Sequence, residues 1–166
     1  MFSKGDLDIG CTTAVKHHIN LTDDSPFRVR SRDNAPADYL DVRRHLKELM
    51  EKDIIRPSES QFASPIVVVR KKNGDVRLCV DYRKLNSRTI RDQYVIPKIE
   101  ETLHALNGSQ WFPCLDLKSG YYQVGLEEAD KPKTAFWCPE GVYKFNKIPQ
   151  GITNSPATFQ RLNGEV

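Results

Sequence analysis

Residues 64–86 read SPIVVVRKKNGDVRLCVDYRKLN. Ile66 to Arg70 is β-branched, Val76 to Asp81 alternates apolar and polar residues, and Asn73-Gly74 lies between them. Two strand-like runs around Asn-Gly form a hairpin. The loop has two solutions with opposite consequences. A two-residue Asn-Gly turn pairs Lys71 with Val76 and sends Lys71 and Arg77 to opposite faces. A three-residue loop, Lys72-Asn73-Gly74, pairs Lys71 with Asp75 and puts Lys71 and Arg77 on one face.

The hairpin is also where the charge collects. Residues 70–91 hold eight basic side chains against Asp75 and Asp81, a net +6. The whole chain carries only +3, so the remainder is at −3. A local basic segment suits either a solvated surface strand or a phosphate-binding surface.

Upstream, Tyr39, Val42, Leu46, Leu49 and Met50 recur at spacings of three and four after Asn34 and Pro36. This pattern predicts an amphipathic helix ending near Lys52-Asp53, with Ile54-Ile55 leading to Pro57. Residues 1–33 show no sustained periodicity and read as a linker or N-terminal arm with little structure of its own, joined to one domain over 34–166. Asp23-Asp24, beside Ser25-Pro26, belongs to a turn rather than a metal site.

Downstream, Pro97, Ile99, Leu103, Leu106 and Gly108 predict a short helix, and Trp111 to Leu117 a buried strand. Thr134–Cys138 and Val142–Ile148 flank Pro139-Glu140-Gly141 as a second hairpin. Asn154-Ser155-Pro156 opens a last helix, with Ala157, Phe159 and Leu162 free to pack. Helices and antiparallel hairpins mix without regular alternation, which predicts an α+β fold.

At 166 residues the chain is long enough to bury a core. No apolar run is long enough to span a bilayer, and MFSKGDLDIG lacks the apolar centre of a signal peptide. Cys11, Cys79, Cys114 and Cys138 lie far apart with no Cys-x-x-Cys pair, which argues against a zinc site or disulfide framework and for a reducing compartment. The expectation is an intracellular, cytoplasmic protein. His17-His18, His45 and His104 have no metal-ligand spacing. Phosphate-loop and nucleophile-elbow motifs are missing.

Asp116, in CLDLKSGYYQV, suits either a Mg²⁺ ligand at a strand end or a cap on the next turn. Lys71 and Arg77 suit either a triphosphate grip or plain strand exposure. Tyr121-Tyr122 offers a stacking ring or ordinary core, and Gln150 sits in the turn Pro149-Gln150-Gly151.

Three ordered blocks carry a resemblance: LMEKDIIRPSESQFASPIVVVRKKNGDVRLCVDYRKLNSRTI (49–90), YVIPKIEETLHALNGSQWFPCLDLKSGYYQV (94–124) and KTAFWCPEGVYKFNKIPQGITNSPATFQRL (133–162). From about residue 36 onward the chain resembles the reverse transcriptases of gypsy-type long-terminal-repeat retrotransposons. The opening stretch is similar to the segment joining protease to polymerase in such polyproteins. The resemblance implies the fingers and N-terminal part of the palm of a right-hand polymerase fold. It implies an RNA-directed DNA polymerase that extends a primer on an RNA or DNA template, using deoxynucleoside triphosphates and two Mg²⁺ ions. Protease, RNase H and integrase would be covalently linked in a complete polyprotein.

Residue by residue, Lys71 matches the lysine on the terminal phosphates and Arg77 the arginine against the incoming nucleotide. These roles favour the three-residue loop. Asp116 matches the first catalytic carboxylate, which binds both metal ions, with the Leu117 carbonyl on one of them. Ser119 and Gly120 match the turn facing the triphosphate. Tyr121 matches the aromatic under the sugar that excludes a 2′-hydroxyl, and Gln150 lines the nucleotide and template pocket. The family's Tyr-x-Asp-Asp motif is absent from these 166 residues. The expectation is therefore a truncated fragment, inactive alone; the alternative is a non-enzymatic, nucleic-acid-binding relic.

Overall fold

A computed structural model describes residues 10–30, 38–70, 76–94, 100, 103–104, 106–112, 117 and 119–164, with backbone alone at 70, 76 and 77. Its elements are β1 (Thr12–His17), α1 (Tyr39–Glu51), β2 (Ile55–Pro57), β3 (Ser64–Arg70), β4 (Val76–Val80), α2 (Arg83–Arg88), β5 (Val124–Leu126), β6 (Phe136–Cys138), β7 (Gly141–Phe145) and α3 (Ser155–Gly164). Short 3-10 helices cover Gly120–Gln123 and Lys131–Thr134. Helices and mostly antiparallel strands give the expected α+β class.

A five-stranded sheet runs in the order β2-β7-β6-β3-β4. Only β3 and β6 pair in parallel, Ser64 opposite Phe136 and Pro65 opposite Trp137. The seam is held by Ser64 N–H donating to Ala135 at 2.9 Å. The second hairpin, β6–β7, pairs Cys138 with Gly141, so its turn is Pro139-Glu140. Gly141 has φ of 138°, a value open to glycine and strained for other residues. Both strands are shorter than the periodicity suggested. Thr134 belongs to a 3-10 turn because its side chain is used as a brace: its Oγ1 donates to Lys131 O at 2.7 Å and accepts from Phe145 N–H at 3.0 Å.

Helix α1 buries Val42, Leu46 and Leu49 of the predicted stripe, whereas Tyr39 and Met50, at its two ends, are exposed. It ends in a Schellman motif: Ile54 N–H donates to Leu49 O at 2.9 Å and Asp53 N–H to Met50 O at 3.0 Å. Asp53 takes the left-handed position usually given to glycine, with φ of 51°. Asn146 compensates, its Nδ2 donating to Asp53 Oδ1 at 2.7 Å. Ile54 and Ile55 follow directly into the core.

Residues 10–30 differ most from expectation. They carry β1, which pairs in parallel with β5, and they strap the molecule along its length. Ile19 is fully buried, and Phe27 meets Phe62 edge-on at 5.4 Å. Val29 N–H donates to Ala63 O at 3.0 Å, Ala63 N–H donates to Phe27 O at 2.8 Å, and Trp137 Nε1 donates to Val29 O at 2.9 Å. The strap lacks periodicity because its partners are scattered: β5, the segment after α2, and the edge of β3. Asp23 does cap a turn, its carboxylate accepting from Ser25 N–H and Oγ, and it also pairs with Arg88 at 3.2 Å.

The stretch expected as a buried strand, 111–117, departs from that expectation at its described positions, 111, 112 and 117. Trp111 is 89% exposed and Phe112 59%, and neither lies in a strand. A strand exists only through ladder partners, and none among the described residues reaches them. Residues 113–116 lie outside the described residues. Leu103 and Leu106 are likewise exposed, while Gly108, with φ of 88°, stands at the predicted helix stop. No helix of the described residues is long and apolar enough to cross a membrane.

Candidate functional site

The register of the basic hairpin decides between the two loops. Arg70 pairs with Val76 and Val69 with Arg77. That is the register of the three-residue loop; a two-residue turn would have set Arg70 against Arg77. Ile66 is buried and Val68, Leu78 and Val80 pack on the core, whereas Val67 and Val69 are exposed. Val67 and Val69 thus share the outward face with Cys79, which pairs with Val67. Lys71 and Asp116 lie outside the described residues. Leu117 is half-exposed.

The turn at Ser119–Gly120 is tightly specified. Ser119 is left-handed (φ 51°, ψ 47°), and its carbonyl accepts from Tyr122 N–H at 2.8 Å. The 3-10 helix Gly120–Gln123 starts from it. Against this turn presses Phe159 of α3. A Cβ built on Gly120 would stand 2.7 Å from Phe159 Cζ, closer than real side chains approach. Glycine is required here for close packing rather than for its φ. Phe159 also meets Tyr121 edge-on, centroids 5.5 Å apart at 70°, which limits where that ring can sit. The sequence marks Phe159 as a core residue; its part in positioning the Tyr121 ring shows only in three dimensions.

Gln150 is exposed at the tip of the turn, and Gly151 behind it has φ of 94°. The turn is clamped from α2 by Asn86, a residue that no motif singles out. Asn86 Nδ2 donates to Gly151 O at 2.8 Å, and Asn86 Oδ1 accepts from Thr153 N–H at 3.0 Å. One amide thus satisfies a donor and an acceptor that a loop leaves open. An asparagine inside a short helix is a poor helix former, which is the one signal that could have drawn notice. Beside it Arg83 forks onto Asp81, with contacts of 2.6 to 3.1 Å, and this pairing holds the guanidinium above its usual pKa.

These parts converge. A cavity of about 220 Å³ is lined by Leu78, Cys79 and Val80 of β4, by Tyr122, and by Pro149, Gln150 and Gly151. Tyr82 packs behind Gly151: buried, it donates from its hydroxyl to Thr134 O at 2.8 Å, and burial pushes its pKa well up. Among the described residues no group of three or more His, Cys, Asp or Glu could hold a metal ion. With Asp116 outside them, the described residues do not by themselves make a magnesium centre.

The α+β sheet thus carries a hairpin whose second strand walls one cavity together with Tyr122 and the clamped Pro149-Gln150-Gly151 loop, and the left-handed Ser119 turn starts the 3-10 helix that holds Tyr122. The family profile described as "Reverse transcriptase (RNA-dependent DNA polymerase)" matches residues 69–166, and the chain belongs to that family. The Pol polyprotein of the Drosophila melanogaster transposon opus is 41% identical over 159 residues, covering 93% of this chain and 16% of the relative. The polyprotein of transposon gypsy from the same organism is 38% identical over 171 residues, 99% of this chain and 16% of its own length. This is a retrotransposon-type reverse transcriptase sequence that spans about a sixth of those relatives.

Solved structures agree on the fold. A mutant of the prototype foamy virus protease–reverse transcriptase superposes with a TM-score of 0.82 at 23% identity, covering 96% of this chain and 22% of that one. The foamy viral enzyme in complex with an RNA/DNA hybrid gives a TM-score of 0.78 at 20% identity, over 96% and 22%.

Proposed function

We propose that this chain is the fingers and N-terminal part of the palm of an RNA-directed DNA polymerase, and that the cavity between β4, Tyr122 and the Gln150 turn receives the incoming nucleotide opposite its template. One observation carries the reading. Three segments far apart in sequence, 78–80, 122 and 149–151, meet on one cavity at the root of a basic hairpin. The polyprotein relatives and the hybrid-bound foamy viral enzyme support it.

In this reading Lys71 and Arg77 grip the triphosphate of a deoxynucleotide, Lys as a point charge and Arg as a planar fork. The backbone amides of Ser119 and Gly120 face the phosphates. Tyr121, braced by Phe159, lies under the sugar and leaves no room for a 2′-hydroxyl. Gln150, held by the Asn86 clamp, reaches the nucleotide or template. As a family these are divalent-metal-dependent polymerases, and Asp116 with the Leu117 carbonyl are the groups we assign to Mg²⁺. The strap at 10–30 ties the arm, residues 1–33, to the polymerase, so that a protease joined upstream would be anchored on the fold. RNase H and integrase belong to the same polyprotein. The free thiols Cys11, Cys79 and Cys138 suit a reducing, cytoplasmic setting.

The test is in two parts. The 166-residue chain should bind a template-primer and a deoxynucleoside triphosphate, and Lys71→Ala with Arg77→Ala should abolish the nucleotide signal. It should not extend the primer, because Tyr-x-Asp-Asp is absent and in-line transfer needs carboxylates holding both metal ions. Extension at the rate of a full polymerase, or nucleotide binding indifferent to both substitutions, refutes the assignment.

A further inference from the structure

A second concave surface lies away from that cavity. It has a volume of about 370 Å³ and opens between the strap, the segment after α2, and the first turns of α3. Its donors come from elements far apart in sequence: Lys16, His18 and Asn20 from the strap, Arg91 after α2, and Arg161 from α3.

The acids around it are already occupied. Asp92, the one carboxylate on the wall, accepts from Arg161 at 2.6 and 2.8 Å and from Tyr94 N–H at 3.1 Å. Asp130, behind His18, takes Lys133 at 2.9 Å and Ile19 N–H at 3.1 Å, leaving His18 at 3.6 Å. Glu127 stands 3.5 Å from Lys16, beyond close hydrogen-bond range. Among the described residues Arg91 makes no hydrogen bond or ion pair at all. The cavity therefore presents Arg91 unbonded among the described residues and Lys16 only loosely paired, while Arg161 is held by Asp92.

Its walls are tied together by hydrogen bonds. Asn154 Nδ2 donates to Ile90 O at 2.8 Å, and Asn154 Oδ1 accepts from Asp92 N–H at 3.1 Å. Ile90 N–H closes onto Asn20 O at 2.8 Å, which fixes the strap to the wall opposite. The side chain of Ile90, half-exposed, adds one apolar contact beside the donors.

We propose that this cavity binds a phosphate group carried on a nucleoside, with Arg91 as the bidentate partner and Lys16 as the point charge. Arginine's fork matches two phosphate oxygens, and lysine neutralises the residual charge. The volume exceeds what a bare oxyanion fills and falls within the range of small-molecule sites. Ile90 supplies the surface a sugar or base would cover. The chemistry is shared by a free nucleotide and by the backbone of a nucleic-acid strand. The inference uses none of the residues assigned to the polymerase site, so the two stand or fall separately.

The test titrates the ¹⁵N-labelled chain with inorganic phosphate, a deoxynucleoside monophosphate and a short single-stranded oligodeoxynucleotide, at low and at raised salt. Resonances of Lys16, His18 and Arg91 should shift saturably with the monophosphate or the strand. Arg91→Ala, at an exposed and unbonded position, should fold normally by circular dichroism and weaken that binding about tenfold. Lys16→Ala should weaken it about threefold and flatten its salt dependence. Lys71→Ala with Arg77→Ala should leave these shifts unchanged; if it removes them instead, the signal belongs to the polymerase site and the proposal fails. Tighter binding of the strand than of the monophosphate assigns the cavity to nucleic acid, and equal binding to a free nucleotide. Absence of saturable shifts, unaltered affinity in Arg91→Ala, or inorganic phosphate binding as tightly as both nucleoside probes overturns it.

Discussion

The N-terminal strap and the Ser119–Tyr121 turn are both built from irregular backbone, yet they are held in different ways. The turn is a local device: a left-handed serine, a glycine with no room for a methyl group, and one aromatic ring pressing from α3. The strap is held by long-range contacts along its length, from β5 to Trp137. Local devices leave a signature in a few adjacent residues. Distributed ones do not, because each contact depends on where a distant segment happens to fold.

The comparison can be broken by substitutions on either side. Ile19→Ala should cost most, about 2–5 kcal/mol, because a fully buried side chain leaves a cavity where the strap crosses the core. Urea unfolding monitored by tryptophan fluorescence measures it. A cost near zero would mean that the strap lies on the fold without stabilising it.

The next effect is in pH. His17 is buried, and burial lowers its pKa from 6.5 to about 4 despite the opposing Asp130 charge. Its Nδ1 pairs with Thr158 Oγ1 at 2.7 Å, while Nε2 has no partner among the described residues. The folded state thus binds this proton less readily than the unfolded chain. Stability should hold above pH 6.5, fall as pH drops toward 4, and level off below, by about 3 kcal/mol in all. Chemical denaturation across that range tests it, and His17→Gln should flatten the curve.

Gly120→Ala probes the turn. The clash with Phe159 should cost about 1–3 kcal/mol. Phe159→Ala in the same chain should recover part of that loss, because it removes the opposing ring. Costs that simply add would show that the two residues do not meet in solution.

The smallest expected effect comes from the clamp. Asn86→Ala leaves Gly151 O and Thr153 N–H without their partner and should cost about 1–2 kcal/mol. Amide exchange at Thr153 should speed up more than in α1. Asn86→Asp keeps the acceptor and should slow Thr153 exchange again while leaving Gly151 O unpaired. Equal exchange in all three proteins would rule out the clamp.

How much of this was legible beforehand varies with the physics of each element. Helix α1 was readable to its last turn because one face packs and the 3.6-residue period records it. The β3–β4 register was reduced to two alternatives, since alternation sets the faces but the loop decides the pairing. The expected strand at Trp111 and Phe112 failed because apolar content reports a wish to be buried, not the presence of a partner.

By itself, then, the sequence determined the hairpins, the first helix, the α+β class and, through three ordered blocks, the reverse transcriptase family. Periodicity, turn residues and motif spacing are properties of neighbouring positions, so they survive in one dimension. Only the tertiary structure decided that residues 10–30 are part of the fold. It also decided that Phe159 and Asn86 hold the site's two turns, and that Lys16 and Arg91 face one cavity. Each of these joins residues from separate segments, and proximity of that kind exists only once the chain has folded.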